Sequence, residues 1–129
     1  MTVTVAMFED ACAHIGARLD ALGLDIKVVP FNADGMYLVD GKATPPGEVA
    51  VDYLWLSAHI GRAGATKAAF KLVLDTKSID VLQTFNAGLD APVYRQAADK
   101  GIRICNSSAQ SVAIAEYTMA QVLAVYHPI

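Results

Sequence analysis

Asp80 to Cys105 reads DVLQTFNAGLDAPVYRQAADKGIRIC, and its punctuation decides the fold class. Val81 to Phe85 is an apolar run of strand length, and Asn86-Ala87-Gly88-Leu89-Asp90 follows it as a turn. Pro92 opens a short helix reaching Lys100, since proline suits the first helical position. Gly101 ends that helix, and Ile102 to Cys105 is another strand. Two strands joined through a helix need a crossover connection, so they run parallel.

The alternation extends in both directions. Thr2 to Phe8 is a first strand. From Glu9 to Leu22, Cys12, Ile15, Leu19 and Leu22 recur at helical spacing, and Gly23 supplies the C-cap. Ile26 to Phe31 is a second strand, Tyr53 to Ala58 a third, and Ala63 to Thr76 an Ala-rich helix. Met36 to Val39 before Asp40-Gly41 looks like half of a small hairpin, which Thr44-Pro45-Pro46-Gly47 ends. This insertion sits on the edge of the fold and carries no chemistry. The last helix spans Gln110 to Tyr126. The expected architecture is α/β: a flavodoxin-like, doubly wound, five-stranded parallel sheet in the order 2-1-3-4-5, with helices on both faces. Residues 1–108 form its domain and 109–129 a connecting helix. Ligands of such sheets lie beyond the carboxyl ends of the strands, where the strand order reverses. Three loops are expected there: Phe8-Glu9, Ser57 to Gly61, and Asn86 to Leu89.

Composition narrows the function classes. A chain of 129 residues is one ordinary domain, and 54% hydrophobic against 18% charged hints at a surface meant to be covered. A net charge of −3, with dispersed Lys and Arg, argues against a nucleic-acid partner. No apolar run reaches the ~18 residues of a bilayer span. MTVTVAMFED lacks the basic start of a signal peptide, so a cytoplasmic location without a membrane partner is expected. Cys12 and Cys105 have no Cys or His at metal-site spacing and read as reduced core residues, with no metal.

Three linked pieces carry a family resemblance. Asp80 to Asp90, DVLQTFNAGLD, is similar to a strand ending in an (S/N)-(A/V)-G-(V/L)-D turn. Ala97 to Asn106, AADKGIRICN, resembles a helix-Gly-strand passage ending in Asn. Ser111 to Val125, SVAIAEYTMAQVLAV, resembles a helix with a VAE core, here Ile114-Ala115-Glu116, followed by Val122-Leu123. Together, in this order, they resemble the substrate-binding half of the D-isomer-specific 2-hydroxyacid dehydrogenases. Residues 1–79 add no specific motif.

The resemblance implies a small 2-oxoacid or 2-hydroxyacid ligand, its carboxylate gripped by the Ala87 and Gly88 amides. Independently, converging backbone N–H groups can hold a carboxylate without a basic side chain. Gly88 permits close backbone approach, and Asp90 is placed to N-cap the Pro92 helix. Ser57 and His59 follow the third strand and line the pocket, His59 at its edge or on the surface. Asn106 and Glu116 mark the hinge and connecting helix. His14 and His127 have no partner suggesting chemistry.

The resemblance also implies NAD or NADP for the complete enzyme, but none bound by this chain alone. Its nine glycines form no Gly-x-Gly-x-x-Gly, and Gly61-Arg62-Ala63-Gly64 lacks the spacing. The family's catalytic Arg, Glu and His belong to a region expected after residue 129, so no catalytic residue is assigned and the chain alone is expected to be inactive. A truncated enzyme, one half of a two-chain enzyme, and a free-standing non-catalytic acid-binding or interaction module all fit. A phospho-receiver domain does not: Ser57 stands where its acceptor Asp is needed. Nor does a flavodoxin-type flavin binder, since Met7-Phe8-Glu9-Asp10 is no phosphate loop. The last helix is apolar nearly all round, with Val112, Ala115, Met119, Val122 and Tyr126 in one stripe widened by Ile114, Leu123 and Val125. A homo-oligomer through residues 111–126 is expected.

Overall fold

The computed structural model describes residues 1–127, so His127 is the last position of the expected connecting segment that it covers. In chain order the elements are β1 (Val3–Phe8), α1 (Glu9–Ala21), β2 (Ile26–Phe31), β3 (Tyr37–Val39), β4 (Lys42–Thr44) and β5 (Ala50–Trp55). Then come α2 (Ala58–Arg62), α3 (Thr66–Asp75), β6 (Ser78–Gln83), α4 (Pro92–Asp99), β7 (Arg103–Cys105) and α5 (Ser111–Tyr126). A 3-10 turn, Pro46–Glu48, leads into β5.

The strands form one sheet in the order β4-β3-β2-β1-β5-β6-β7. β2, β1, β5, β6 and β7 are mutually parallel, whereas β3 pairs antiparallel with β2 and β4 antiparallel with β3. The expected five-stranded, all-parallel sheet is therefore corrected to a mixed sheet of seven strands. The hairpin residues are part of the sheet because Tyr37 ties them to the core. Its ring meets Phe31 edge-on at a centroid distance of 6.2 Å, and its hydroxyl is hydrogen-bonded to Thr76 Oγ1 at 2.8 Å. Asp40 and Gly41, at φ 50° and 79°, make a turn whose twist matches that of the strands.

Other boundaries move as well, among them those of β6, which runs Ser78–Gln83 in place of Val81 to Phe85. β5 begins at Ala50, not Tyr53. Asp52 interrupts its apolar pattern, yet its carboxylate accepts the Thr4 N–H at 2.8 Å and so serves the pairing of β5 with β1. The expected helix from Ala63 to Thr76 starts later, at Thr66, and a separate short helix, α2, stands where the Ser57–Gly61 loop was expected. Gly64 has φ +67°, a left-handed conformation that closes α2 before α3 begins.

Side-chain alternation divides the sheet into two faces. Ala6, Leu54 and Leu82 leave no accessible surface on one face, where α3 presents Ala69, Leu72 and Val73 and α4 presents Val93, Tyr94 and Ala97. On the other face α1 packs against β1 and β2, with Met7 and Ala11 buried beneath it. The rest of that face is open, and no residue of α5 is buried. Cys12 and Cys105 are free and half-buried, not core residues. Burial pushes the Cys12 thiol up from its ordinary value. Among the described residues, no helix is long and apolar enough to cross a membrane.

The Tyr37–Thr76 bond yields a pH test. Burial pushes the Tyr37 phenol up to about 12, against the opposing effect of the Thr76 hydrogen bond. The folded state keeps this proton where the unfolded chain, at ~10, has lost it. Its contribution is whole below pH 10 and is lost as pH rises from 10 towards 12. Urea unfolding should show a decline of about 1 kcal/mol between pH 9.5 and 11 that Tyr37→Phe removes. At pH 7 the same substitution should cost about 1 kcal/mol for the lost hydrogen bond.

Candidate functional site

At the carboxyl end of β5 the chain passes through Leu56 and Ser57 into α2, and at that of β6 through Thr84 and Phe85 into the turn Asn86 to Asp90. The two exits are neighbours because Leu54 pairs with Leu82 and Trp55 with Gln83. Between them lies a cavity of about 160 Å³, lined from the exits by Leu56, Ser57, Phe85 and Asn86 and from the helices by Ile60, Phe70 and Tyr94, among others. Phe70 and Tyr94 close its floor edge-on, with ring centroids 5.9 Å apart. Larger depressions lie elsewhere, and two of them, about 490 and 540 Å³, lie at the amino ends of the central strands and beside the hairpin. Neither is lined by a buried polar atom without a partner.

The small cavity is lined by two such residues. Among the described residues, the buried side-chain polar atoms without a hydrogen bond are Ser57 Oγ, Asn86 Oδ1 and His59 Nδ1. Ser57 is only 1% exposed and stands at the N-cap of α2, where a serine hydroxyl ordinarily caps the helix; here it makes no cap bond. A buried polar group without a partner costs about 1–3 kcal/mol, a cost that a polar ligand atom would offset.

The backbone of the Asn86–Leu89 turn is held by its carbonyls. The Asn86 carbonyl accepts from Thr84 Oγ1 at 3.1 Å and from the Ser107 N–H at 3.3 Å. The Ala87 carbonyl accepts from Asn106 Nδ2 at 2.8 Å, and that of Gly88 from Asn86 Nδ2 at 3.3 Å. Among the described residues no peptide bond is cis, so each N–H of the turn points opposite the carbonyl that precedes it. The Ala87 N–H is thereby turned away from Thr84 and Ser107, and the Gly88 N–H away from Asn106. Among the described residues neither amide donates a hydrogen bond.

Asp90 does not act as expected. Ala91 occupies the N-cap position of α4, and no side chain caps that helix. The Asp90 carboxylate instead rests against the turn, where a Cβ at Gly88 would stand 3.1 Å from its Oδ1. A negative charge there opposes an incoming anion. Gly88 has no positive φ, so its value at this position lies in open backbone rather than in unusual dihedrals.

His59 lies outside the cavity lining. Its ring is 5.5 Å from that of His14, tilted by 49°, so the pair bridges α1 and α2 where the strand order reverses between β1 and β5. This contact was not legible in the sequence, because the two residues belong to separate helices. The Phe8-Glu9 turn contributes nothing to the cavity, which therefore draws on two of the three expected loops. Asn106, expected as a hinge, holds the Ala87 carbonyl across the β6–β7 exits. Glu116 is exposed on α5. Phe70 and Tyr94 were missed as lining residues; their signal was the inward faces of α3 and α4, which only the sheet register aims at one point.

No protein-family model matches the sequence, and no curated protein or solved structure matches it either.

Free amides have a direct readout. In hydrogen-exchange NMR of the unliganded chain, the Ala87 and Gly88 amides should exchange at rates close to those of an unstructured peptide. The Leu54 and Leu82 amides should be protected by several orders of magnitude. Slow exchange at both turn amides would show an internal acceptor.

Proposed function

We propose that this chain holds the substrate in an NAD(P)-dependent D-2-hydroxyacid dehydrogenase, with the Asn86–Leu89 turn gripping the carboxylate of a small 2-oxoacid or 2-hydroxyacid. The observation that carries this reading is the turn's polarity: the Asn86, Ala87 and Gly88 carbonyls accept hydrogen bonds, while the Ala87 and Gly88 N–H groups donate to nothing among the described residues. Backbone donors of this kind stabilise a carboxylate without contributing a mobile charge. The adjoining cavity of about 160 Å³ is apolar except for Ser57, Thr66 and Asn86, which suits a side chain of a few carbons with at most one polar atom. The three sequence pieces between Asp80 and Val125 support the same reading. So do the five parallel strands, which stand in flavodoxin-like order once the hairpin is set aside.

The nicotinamide cofactor of that family does not fit these residues. A dinucleotide pyrophosphate needs a glycine-rich turn at a helix N-terminus. Here α1 follows β1 without a loop, and its first turn carries Glu9 and Asp10. Two carboxylates at that position repel a pyrophosphate. Residues 1–127 are accordingly assigned binding and orientation of the acid, and no step of hydride transfer.

Titration calorimetry with pyruvate, glyoxylate and hydroxypyruvate tests the assignment. At least one should bind with a dissociation constant on the order of 1 mM, in keeping with so few ligand atoms. Gly88→Val should weaken that binding about tenfold or more by crowding the approach to the turn, with little change in melting temperature. Asp90→Asn should strengthen it a few-fold by removing the opposing charge. Absence of heat with all three acids, or tighter binding by Gly88→Val, would refute the proposal.

A further inference from the structure

Two apolar surfaces in this molecule lack a cover, and they match. The first is the half of the sheet that α1 does not reach. Tyr53, paired with Val81, is 46% exposed, and Trp55, paired with Gln83, is half-buried. On β7 the same face continues through Arg103 and Cys105, the partners of Val81 and Gln83. Arg103 is the one charged side chain among these six.

The second surface is α5. Its large apolar side chains are between 42% and 77% exposed. At 100° per residue, Val112, Met119, Val122, Leu123 and Tyr126 share one side, while Ile114, Tyr117 and Val125 share the other. Glu116, its one charged residue, is one turn from Val112 and two from Leu123, hence on the first side.

We infer that a second copy of this chain covers both surfaces, by reciprocal exchange of α5. The α5 of one protomer lies along β5, β6 and β7 of the other, its Val112–Leu123 side against Tyr53, Trp55 and Val81. Glu116 then faces Arg103, pairing the helix's single anion with the face's single cation. Lengths agree: 16 residues of helix reach ~24 Å, and the six-residue strands β5 and β6 reach ~20 Å. Self-closure by a protomer's own α5 would leave the Ile114–Tyr117–Val125 side bare. In the exchanged pair the two α5 helices sit side by side at the two-fold axis and cover it. Two helix-on-sheet contacts at about 600 Å² of helix each, matched by the strands, bury roughly 2,400 Å², above the roughly 1,600 Å² of a standard stable interface. This inference is independent of the ligand at the Asn86–Leu89 turn.

Sedimentation equilibrium of the 129-residue chain across roughly 1–100 µM, with Trp55 fluorescence read in parallel, tests it. Trp55 is the single tryptophan and lies on the face to be covered. The expected result is a dimer whose Trp55 emission moves to shorter wavelength as it forms. Leu123→Glu should give a monomer with unchanged strand content and long-wavelength emission; α5 has no buried residue, so this substitution does not threaten the core. Arg103→Glu and Glu116→Arg should each weaken association about tenfold, and the double variant should restore it. A monomer at the highest concentration overturns the inference, whether its emission is long-wavelength throughout, with the face bare, or short-wavelength throughout, with α5 folded back on its own sheet. Open-ended aggregates in place of a dimer overturn it too.

Discussion

Leu54 and Leu82, paired across the sheet and closed over by α3 and α4, are out of contact with water, and the remaining geometry follows from that burial. Because strand side chains alternate, placing these two inward also directs Ala6 and Phe8 inward and sends Tyr53 and Trp55 to the opposite face. A slip of one residue would exchange the two sets, turning the leucines out and Tyr53, Trp55, Val81 and Gln83 in. The register is thus held by the packing of these leucines against α3 and α4, and it brings the exits of β5 and β6 side by side. The cavity between Ser57 and Asn86 is a consequence of that neighbourhood.

The turn after β6 is organised by a different kind of force. Its carbonyls are fastened by donors from three separate places: Thr84 at the end of β6, Asn106 and Ser107 beyond β7, and Asn86 within the turn itself. Peptide planarity converts that fastening of acceptors into an outward presentation of donors. The Asp90 carboxylate sits against the same turn, so the local charge is mixed, and backbone and side chain pull an anion in opposite directions.

The uneven covering of the sheet is the other consequence of register. One face is closed by α3 and α4. The other is covered by α1 across β1 and β2 alone, and the remaining strands show the half-buried and exposed side chains of a surface without a lid. A large apolar fraction with few charges was the sequence's trace of this. The hairpin shows the same economy in reverse: Tyr37 is fully buried, so a short edge insertion contributes one of the largest core side chains.

Most elements are legible in the sequence, since Pro92, Gly101 and Gly23 punctuate helices by local chemistry, and the apolar runs of β1 and β2 need no neighbours to be recognised. What is not legible there depends on a distant partner. Asp52 looked like the edge of a strand until Thr4 supplied its hydrogen bond. Gly64 fell inside the expected Ala63–Thr76 helix, yet its left-handed backbone separates α2 from α3. Asp90 looked like a cap until Ala91 took the cap position. For the candidate site, Ser57 and the Asn86–Leu89 turn were legible as residues after strands, where loops carry function. Their cavity was not, because Phe70 and Tyr94 come from helices aimed there only by the register of β5 and β6. The sequence by itself determined the α/β class and the succession of elements, properties set within a few residues of each position. Tertiary structure alone decided the mixed seven-stranded sheet, the His14–His59 contact and the half-covered face, because each depends on contacts between segments far apart in the chain.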